Sequence, residues 1–326
     1  MALTKVSNLM LVQPVNHNIL INPSFTVNQR APIKIVDDKG WYGPDRWRFR
    51  NSEDVGGANR NTIVADHTTG VNKLVVKHSK PRSWANTHQR IETVNLLGLY
   101  GKEMTFSFSY SDTGGSGIPT ARITSYDSSG AGKILFDATP TSLGNNRWTC
   151  TFTLSTKDGT IPEPSELGMI VYIYPNEHNT APAEWSLWET KLEASPVATP
   201  FIARPYGEEL LLCQRYFQQL AMGPDHSGPG LACGTGLWYK TSQVLGTLFY
   251  TTAMRAPPVV NCSSDFTIQA SVAGDVRPSN TSSPLDNIGL NSARWNIDRF
   301  TGVGVPGTGT QLQITAGTLS LTAELQ

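Results

Sequence analysis

The sequence predicts a mainly β protein with two antiparallel β domains, and three observations lead to this prediction. First, apolar and hydroxyl side chains alternate in segments such as 104–110 and 148–154, so each segment has one face for a core and one for solvent. Second, turn-forming clusters such as 112–117 and 127–130 separate these segments, with no helices between them. Third, a single helical pattern interrupts the β patterns near residue 206. This arrangement is typical of antiparallel sandwiches.

The strands of the first domain follow from the same period-two pattern. Segment 104–110 places four large apolar side chains on one face and Thr105, Ser107 and Ser109 on the face expected to meet solvent. Segment 169–174, MIVYIY, is apolar throughout, which is typical of a central strand covered on both faces. Further strands are predicted at 74–77, 121–126 and 184–192 and, after the helix, at 238–239, 244–250, 266–270, 312–316 and 319–325. Long surface loops are predicted at 223–230, 276–290 and 302–309.

The helical pattern is expected to run for about fourteen residues, a rod of ~20 Å. Two carboxylates, Glu208 and Glu209, lie at its N-terminal end, where the helix dipole favours them, and Gly223-Pro224 ends it. Its apolar stripe is predicted to form an oligomer or domain interface and comprises Leu210, Cys213, Tyr216, Phe217 and Leu220. The pattern leaves three arrangements open: both β domains pack on the helix, the helices of several subunits meet, or the helix covers one edge of a sandwich.

Composition limits the function classes. The chain has 326 residues with a formal net charge of zero, which removes the global electrostatic reason to expect a nucleic-acid ligand. None of the four cysteines lies in a C-x-x-C pair, so we expect free thiols at Cys150, Cys213, Cys233 and Cys262. The N-terminal apolar run is too short for a signal peptide or a membrane span. We therefore expect synthesis in a cytoplasm without a signal peptide, and no membrane insertion.

Three motifs around the helix carry a family resemblance. The combination of K-L-E at 191–193, T-P-F at 199–201 and E-L-L-L-C-Q-R-Y at 209–216 resembles a segment of tail-fibre and other structural proteins of tailed bacteriophages. The stretch 18–30 with D-R-W at 45–47 is similar to the opening of the jelly-roll domain, akin to carbohydrate-binding modules, of such proteins. M-R-A-P-P at 254–258 is similar to the start of their C-terminal domain. Leu211 departs from the pattern, which has a small residue there.

The resemblance implies a domain plan and an assembly. It divides the chain into an N-terminal arm (1–16), a jelly-roll β-sandwich (17–205), a connecting helix (206–222) and a C-terminal β domain (223–326). It implies a phage virion component, a homotrimer in contact with other virion proteins, such as a tail fibre that attaches the particle to a host surface glycan. The alternative is a capsid decoration, baseplate or connector protein with a purely architectural role and no sugar binding.

No catalytic motif is present in the sequence. It lacks G-x-S-x-G, H-E-x-x-H and G-x-x-x-x-G-K-[ST], and its carboxylates are scattered along the chain. It also lacks the long repeat pattern of a β-helical depolymerase. We therefore predict that the protein is not an enzyme.

The candidate glycan-binding residues are aromatic or polar side chains near turns. Stacking on sugar rings needs aromatic faces, and sugar hydroxyls need amide or imidazole partners; the candidates are Trp41, Tyr42, Trp84, Asn86, His88, Trp238 and Tyr239. Trp47 is expected in the core, and Trp185 and Trp188 in the core or a subunit interface. Asn22, Asp45 and Glu193 are residue types that hold structural calcium, but no loop has a ligand-rich spacing. We therefore predict no metal and no cofactor, with a structural calcium ion as the alternative.

Overall fold

The computed structural model describes residues 18–30, 33–35, 41–51, 61–66, 70–78, 85–113, 117–175, 183–221, 231–263, 267–270, 275–278, 284–298, 300 and 304–325. The predicted N-terminal arm and the predicted loop 223–230 lie outside these ranges. The chain divides into two compact units, one that ends at Tyr206 and also takes in Leu325, and one from Gly207 to Glu324. Among the described residues, no helix is long and apolar enough to cross a membrane.

The first unit is a sandwich of two antiparallel sheets whose strand order is jelly-roll-like. A seven-stranded sheet has the order β1-β4-β5-β13-β7-β11-β10, and a six-stranded sheet has the order β2-β3-β6-β12-β8-β9. Successive strands often change sheet, so the chain closes both sheets around one core. The strands are β1 Ile33–Ile35, β2 Trp41–Tyr42, β3 Arg48–Asn51, β4 Asn61–Asp66, β5 Lys73–His78, β6 Ala85–Glu92, β7 Glu103–Thr113, β8 Pro119–Tyr126, β9 Gly132–Ala138, β10 Thr141–Gly144, β11 Arg147–Thr153, β12 Leu167–Pro175 and β13 Ala183–Glu193.

The core of the first unit confirms the period-two prediction for β7. All four of its predicted core side chains are buried, and so are Trp47 and Trp185. Burial of each large apolar side chain stabilises the fold by about 1.5–3 kcal/mol. From the other sheet, alternate residues of β3, β6, β8 and β12 face the same core, including Phe49, Ala85, Ile91, Ala121, Ile123, Val171 and Ile173.

The hydroxyl face of β7 is also buried, which corrects the prediction that it meets solvent. Thr105, Ser107 and Ser109 are all enclosed. The Nη2 of Arg147 on the neighbouring strand β11 donates to Ser107 Oγ at 2.7 Å, and Thr105 Oγ1 donates to the main-chain oxygen of Ser195 at 2.6 Å. The alternation of residue types shows that two faces differ, but it does not show that an arginine covers the polar one.

The central position of β12 is confirmed, but its predicted double coverage is wrong. The strand lies between β6 and β8 in the six-stranded sheet. Val171 and Ile173 point into the core, whereas Tyr172 and Tyr174 on the opposite face are only half-buried. A phenol ring has an apolar body and a polar tip, so tyrosines in an apolar run tolerate an open face.

The helix is shorter than predicted. Helix α1 covers Tyr206–Gln214, and the chain then forms strand β14, Phe217–Ala221. The turn between them is closed by the Tyr216 amide, which donates to the main-chain oxygen of Cys213 at 2.9 Å. Strand β14 pairs with β23, Leu319–Thr322, so pairing with a strand about one hundred residues away outweighs the helical periodicity.

The second unit contains two further antiparallel sheets. One has the order β14-β23-β17 and the other the order β19-β18-β22-β15-β16-β21-β20. The remaining strands are β15 Leu231–Lys240, β16 Gln243–Phe249, β17 Val259–Cys262, β18 Thr267–Ala270, β19 Asp275–Pro278, β20 Leu285–Asp286, β21 Ser292–Ile297 and β22 Gly309–Ala316. Strands β19 and β20 correct the prediction of one long loop at 276–290, and Leu285 is buried. All four cysteines are free, as predicted.

Candidate functional site

A cleft of about 540 Å³ lies on the outer face of the six-stranded sheet. Its walls come from β3, β6, β8, β9 and β12, because the residues of these strands that alternate with the core residues all point outwards. The lining residues are Arg50, Asn86, His88, Arg90, Arg122, Thr124, Tyr126, Ile134, Tyr172 and Tyr174. None of these lining residues is an aspartate or a glutamate.

The strand register places the polar residues in a row across the sheet. Arg48 pairs with His88, His88 with Tyr172, and Tyr172 with Arg122, which pairs in turn with Asp137 at the edge strand. Residues directly opposite each other on neighbouring strands lie within side-chain contact distance. The row therefore carries an imidazole and a phenol at its centre with a guanidinium on either side.

The centre of the cleft is aromatic. The rings of Tyr172 and Tyr174 are stacked, with centroids 5.9 Å apart and an interplanar angle of 24°. The ring of His88 lies 5.0 Å from that of Tyr172, at an interplanar angle of 39°. Burial raises the pKa of Tyr126 to about 12, and smaller contributions come from the charge of Tyr172 and from a hydrogen bond to Tyr172. The phenol of Tyr126 is therefore neutral near pH 7, and the rings at the centre of the cleft offer flat apolar surfaces.

His88 is held as a neutral imidazole. Burial lowers its pKa well below the usual 6.5, and the positive charges of Arg90, Arg48 and Arg50 lower it further. Its Nδ1 lies 2.9 Å from Oδ1 of Asn86. An amide oxygen only accepts hydrogen bonds, so Nδ1 carries the proton and Nε2 remains an acceptor.

Three arginines supply the charge of the cleft. Arg50 is exposed, whereas Arg90 and Arg122 are half-buried. Arg122 donates from Nη2 to Oδ2 of Asp137 at 2.8 Å, and its guanidinium carbon lies 5.6 Å from the ring centroid of Tyr174. Arg90 donates from Nη1 to the main-chain oxygen of Leu325 at 2.9 Å. An ion pair and a cation–π contact thus fix the direction of Arg122.

Only part of the predicted glycan site lies in this cleft. Asn86 and His88 line it, while Trp84 lies outside the described residues. Strand β2 is at the edge of the same sheet, and the structure describes only the main chain of its two residues, Trp41 and Tyr42. In the second unit, Trp238 is buried against Phe300 and has no face for a ligand, whereas Tyr239 is exposed.

Sequence reasoning missed most of the residues that line the cleft. The apolar pattern of β12 predicts that its tyrosines are covered on both faces, and no local pattern groups the arginines of separate strands. The available signal was the alternation in T-A-R-I-T-S-Y and V-Y-I-Y-P, where every second side chain is aromatic, hydroxylic or charged. Only the register between strands brings Arg50, Arg122 and Tyr172 onto one surface.

The residues considered for calcium have protein partners. The side chain of Asn22 donates to the main-chain oxygens of Val27 and Asp45. Asp45 forms an ion pair with Arg30 at 3.2 Å. Glu193 forms one with Lys191 at 3.3 Å. Within the described part of the chain, no group of three or more His, Cys, Asp or Glu side chains is arranged to hold a metal ion.

The predicted interface stripe is largely enclosed within one chain. Cys213, Tyr216 and Phe217 are buried, and Leu220 packs against the core of the second unit. Leu210 is half-buried. The first three side chains have almost no surface left for another subunit, which corrects the subunit alternative for them.

Comparison with known proteins gives only weak similarities. No protein-family model matches the chain, and no curated protein matches it. Among solved structures, the enzymatically active domain of bacteriophage CBA120 tailspike protein 4 is 12% identical, with a TM-score of 0.31 over 55% of this chain and 21% of that one. The chain thus spans about a fifth of the length of that tailspike domain.

Two smaller proteins match over their whole length. A putative sugar-binding protein from Bacteroides thetaiotaomicron is 11% identical, with a TM-score of 0.35 over 55% of this chain and 100% of that one. The CBM22-1 xylan-binding domain from Paenibacillus barcinonensis Xyn10C is 13% identical, with a TM-score of 0.31 over 57% of this chain and 100% of that one. Identities of this size bear on the fold alone, and these TM-scores add nothing to what the two sheets of the first unit show directly.

Proposed function

We propose that the chain binds a glycan in the cleft of the first unit. The observation that carries this proposal is the stacked pair Tyr172 and Tyr174, half-open to solvent and flanked by arginines. Sugar rings have apolar C–H faces and a rim of hydroxyl groups, and binding sites for such ligands combine apolar walls with a few placed polar groups. A tyrosine pair beside hydrogen-bond donors matches both features of a sugar.

We propose that this binding is not catalytic. Hydrolysis of a glycosidic bond needs two carboxyl groups about 5–10 Å apart on either side of the bond. No carboxylate is among the residues that line the cleft, and Asp137 at its edge is paired with Arg122. The release of oligosaccharides from a bound polysaccharide would contradict this part of the proposal.

For the biological setting, we propose a phage virion appendage, such as a homotrimeric tail fibre that attaches to a host surface glycan. The motif combination at 191–193, 199–201 and 209–216 supports this setting. An architectural capsid, baseplate or connector protein is the alternative. Imaging of particles with a labelled chain tests the setting, and loss of particle integrity without any glycan binding would favour the alternative.

The glycan proposal is tested with tyrosine variants of the full chain on a glycan array. We expect Tyr172→Ala and Tyr174→Ala each to weaken binding at least about tenfold, or 1.4 kcal/mol, because each removes one wall of the stacked pair. Tyr206→Ala is the matched control, since Tyr206 is an exposed tyrosine on α1 outside the cleft. Unchanged binding by both cleft variants, with loss in Tyr239→Ala, would instead place the site in the second unit.

A further inference from the structure

The arginines of the cleft point to a particular class of sugar. Resting on the proposed glycan binding, we propose that the cleft selects a saccharide with an acidic substituent, a carboxylate or a sulfate, over the neutral saccharide of the same backbone. The acidic group would meet the guanidinium of Arg50 or of Arg122 while a sugar ring stacks on the tyrosine pair between them.

The charge of the cleft has one sign. Of its ten lining residues, three are arginines and none is acidic. Arg48 lies on the same face of β3, directly opposite His88. Asp137 offsets one of these positive charges through its ion pair with Arg122. The Nε atoms of Arg90 and Arg122 are buried and have no hydrogen-bond partner among the described residues.

The strand register places Arg50 and Arg122 beside the tyrosine pair. Arg50 and Asn86 are register partners on β3 and β6, and Arg122 is the partner of Tyr172 on β8 and β12. The arginines therefore lie on opposite sides of the tyrosine pair. A guanidinium matches the planar carboxylate and the sulfate oxygens with paired N–H donors, and such charge-assisted hydrogen bonds are roughly twice as strong as neutral ones.

The lowered pKa of His88 is consistent with the same positive electrostatic potential in the cleft. Arg90, Arg48 and Arg50 each lower its pKa, in addition to the larger effect of burial. An imidazole at the centre of the cleft therefore remains neutral and does not add a charge of its own. A neutral sugar gains nothing from this field, whereas an acidic substituent is attracted by all of these guanidinium groups.

The experiment compares two pairs of saccharide probes and one further polyanion with the full chain by calorimetry. The first pair is an oligogalacturonide and its carboxyl-reduced, neutral counterpart. The second is a sulfated galactan oligosaccharide and its desulfated counterpart, so the two pairs distinguish carboxylate from sulfate. Polyglutamate is the third probe and tests whether any polyanion suffices. We expect at least about tenfold tighter binding of one acidic sugar than of its neutral counterpart.

Variants connect the preference to the arginines. Arg50→Gln and Arg122→Gln should each reduce the ratio of acidic-sugar to neutral-sugar affinity several-fold, because each removes one guanidinium from beside the tyrosine pair. Lys102→Gln removes one positive charge from an exposed turn outside the cleft and should change neither affinity. Raising the salt concentration should weaken the acidic sugar more than the neutral one, because salt screens charges beyond about 8 Å at 0.15 M.

The outcomes separate the two proposals. Equal binding of the acidic and neutral sugars overturns the acidic preference but leaves glycan binding intact. Polyglutamate binding as tight as that of the sugars also overturns it, since the saccharide would then be irrelevant. If no saccharide on a broad array binds, the proposed function fails, and this inference fails with it.

Discussion

At the scale of single residues, the resemblance motifs turn out to hold structure together. Lys191 and Glu193 from K-L-E form an ion pair, and both side chains are at most 2% exposed. Lys191 Nζ also donates to Thr199 Oγ1 at 2.5 Å and to the main-chain oxygen of Pro200 at 2.9 Å. Glu193 accepts hydrogen bonds from the amide and hydroxyl of Thr199. The two motifs thus hold the segment at Thr199 and Pro200 against β13, the last strand of the sandwich.

This buried cluster gives a stability prediction. Lys191→Met should destabilise the first unit by about 3–5 kcal/mol, because it leaves the Glu193 carboxylate buried without its cation. The matched control is Lys77→Met, which breaks the Lys77–Glu184 pair of side chains that are 58% and 40% exposed. Exposed pairs contribute about 0–1 kcal/mol. Urea unfolding followed by tryptophan fluorescence measures both, and equal losses would contradict the structural role of the cluster.

His88 gives a pH prediction with a defined sign. Its folded-state pKa lies below 6.5, its usual value, so the unfolded chain takes up the proton first as pH falls. The stability contribution of this group is therefore constant above pH 6.5 and is lost below it, by up to about 1.4 kcal/mol per pH unit. In His88→Gln this part of the pH dependence should vanish. Unfolding midpoints at pH 7.5 and 5.5 measure this dependence. The same change in midpoint between the two pH values in the unmodified protein and in His88→Gln would contradict the assignment.

At the scale of elements, the sequence patterns predicted where strands lie better than they predicted what covers the faces of those strands. The alternation in β7 correctly indicated its core face, because large apolar side chains at every second position have only one place to go. It was wrong about Ser107, whose partner Arg147 lies 40 residues away. The predicted length of the helix was too long for a similar reason. Its apolar stripe continues through Phe217, but pairing with β23 takes that residue into a sheet.

For the cleft, too, the sequence identified only residues that carry a local signal. Asn86 and His88 were identified from residue type near a tryptophan, which is a local signal. The tyrosines of β12 and Arg122 of β8 became site residues only through the register between strands, and register depends on long-range pairing that one sequence without its structure does not specify. The sequence therefore predicted that the first unit would be a sandwich, but it did not predict which face of which sheet stays open.

At the scale of the whole molecule, the second unit has an exposed apolar surface. Leu237 on β15 and Phe249 on β16 are 56% and 77% exposed, and these strands are neighbours in one sheet. Glycines and threonines line the shallow surface between them, including Gly234, Gly236 and Thr247. Exposed apolar patches of this kind mark interaction surfaces in many soluble proteins. In the proposed homotrimer, copies of the same chain would cover this surface.

Assembly gives the last prediction. Light scattering of the full chain at micromolar concentration should give three chain masses of 35.5 kDa each. The double variant Leu237→Ser/Phe249→Ser should shift the protein towards one chain mass, because it removes two large exposed apolar side chains from that sheet. Leu143→Ser, which changes an exposed leucine of β10 in the first unit, is the control and should keep the trimer mass. A monomer in the unmodified protein would contradict the trimer, and a trimer that persists in the double variant would place the subunit contact elsewhere.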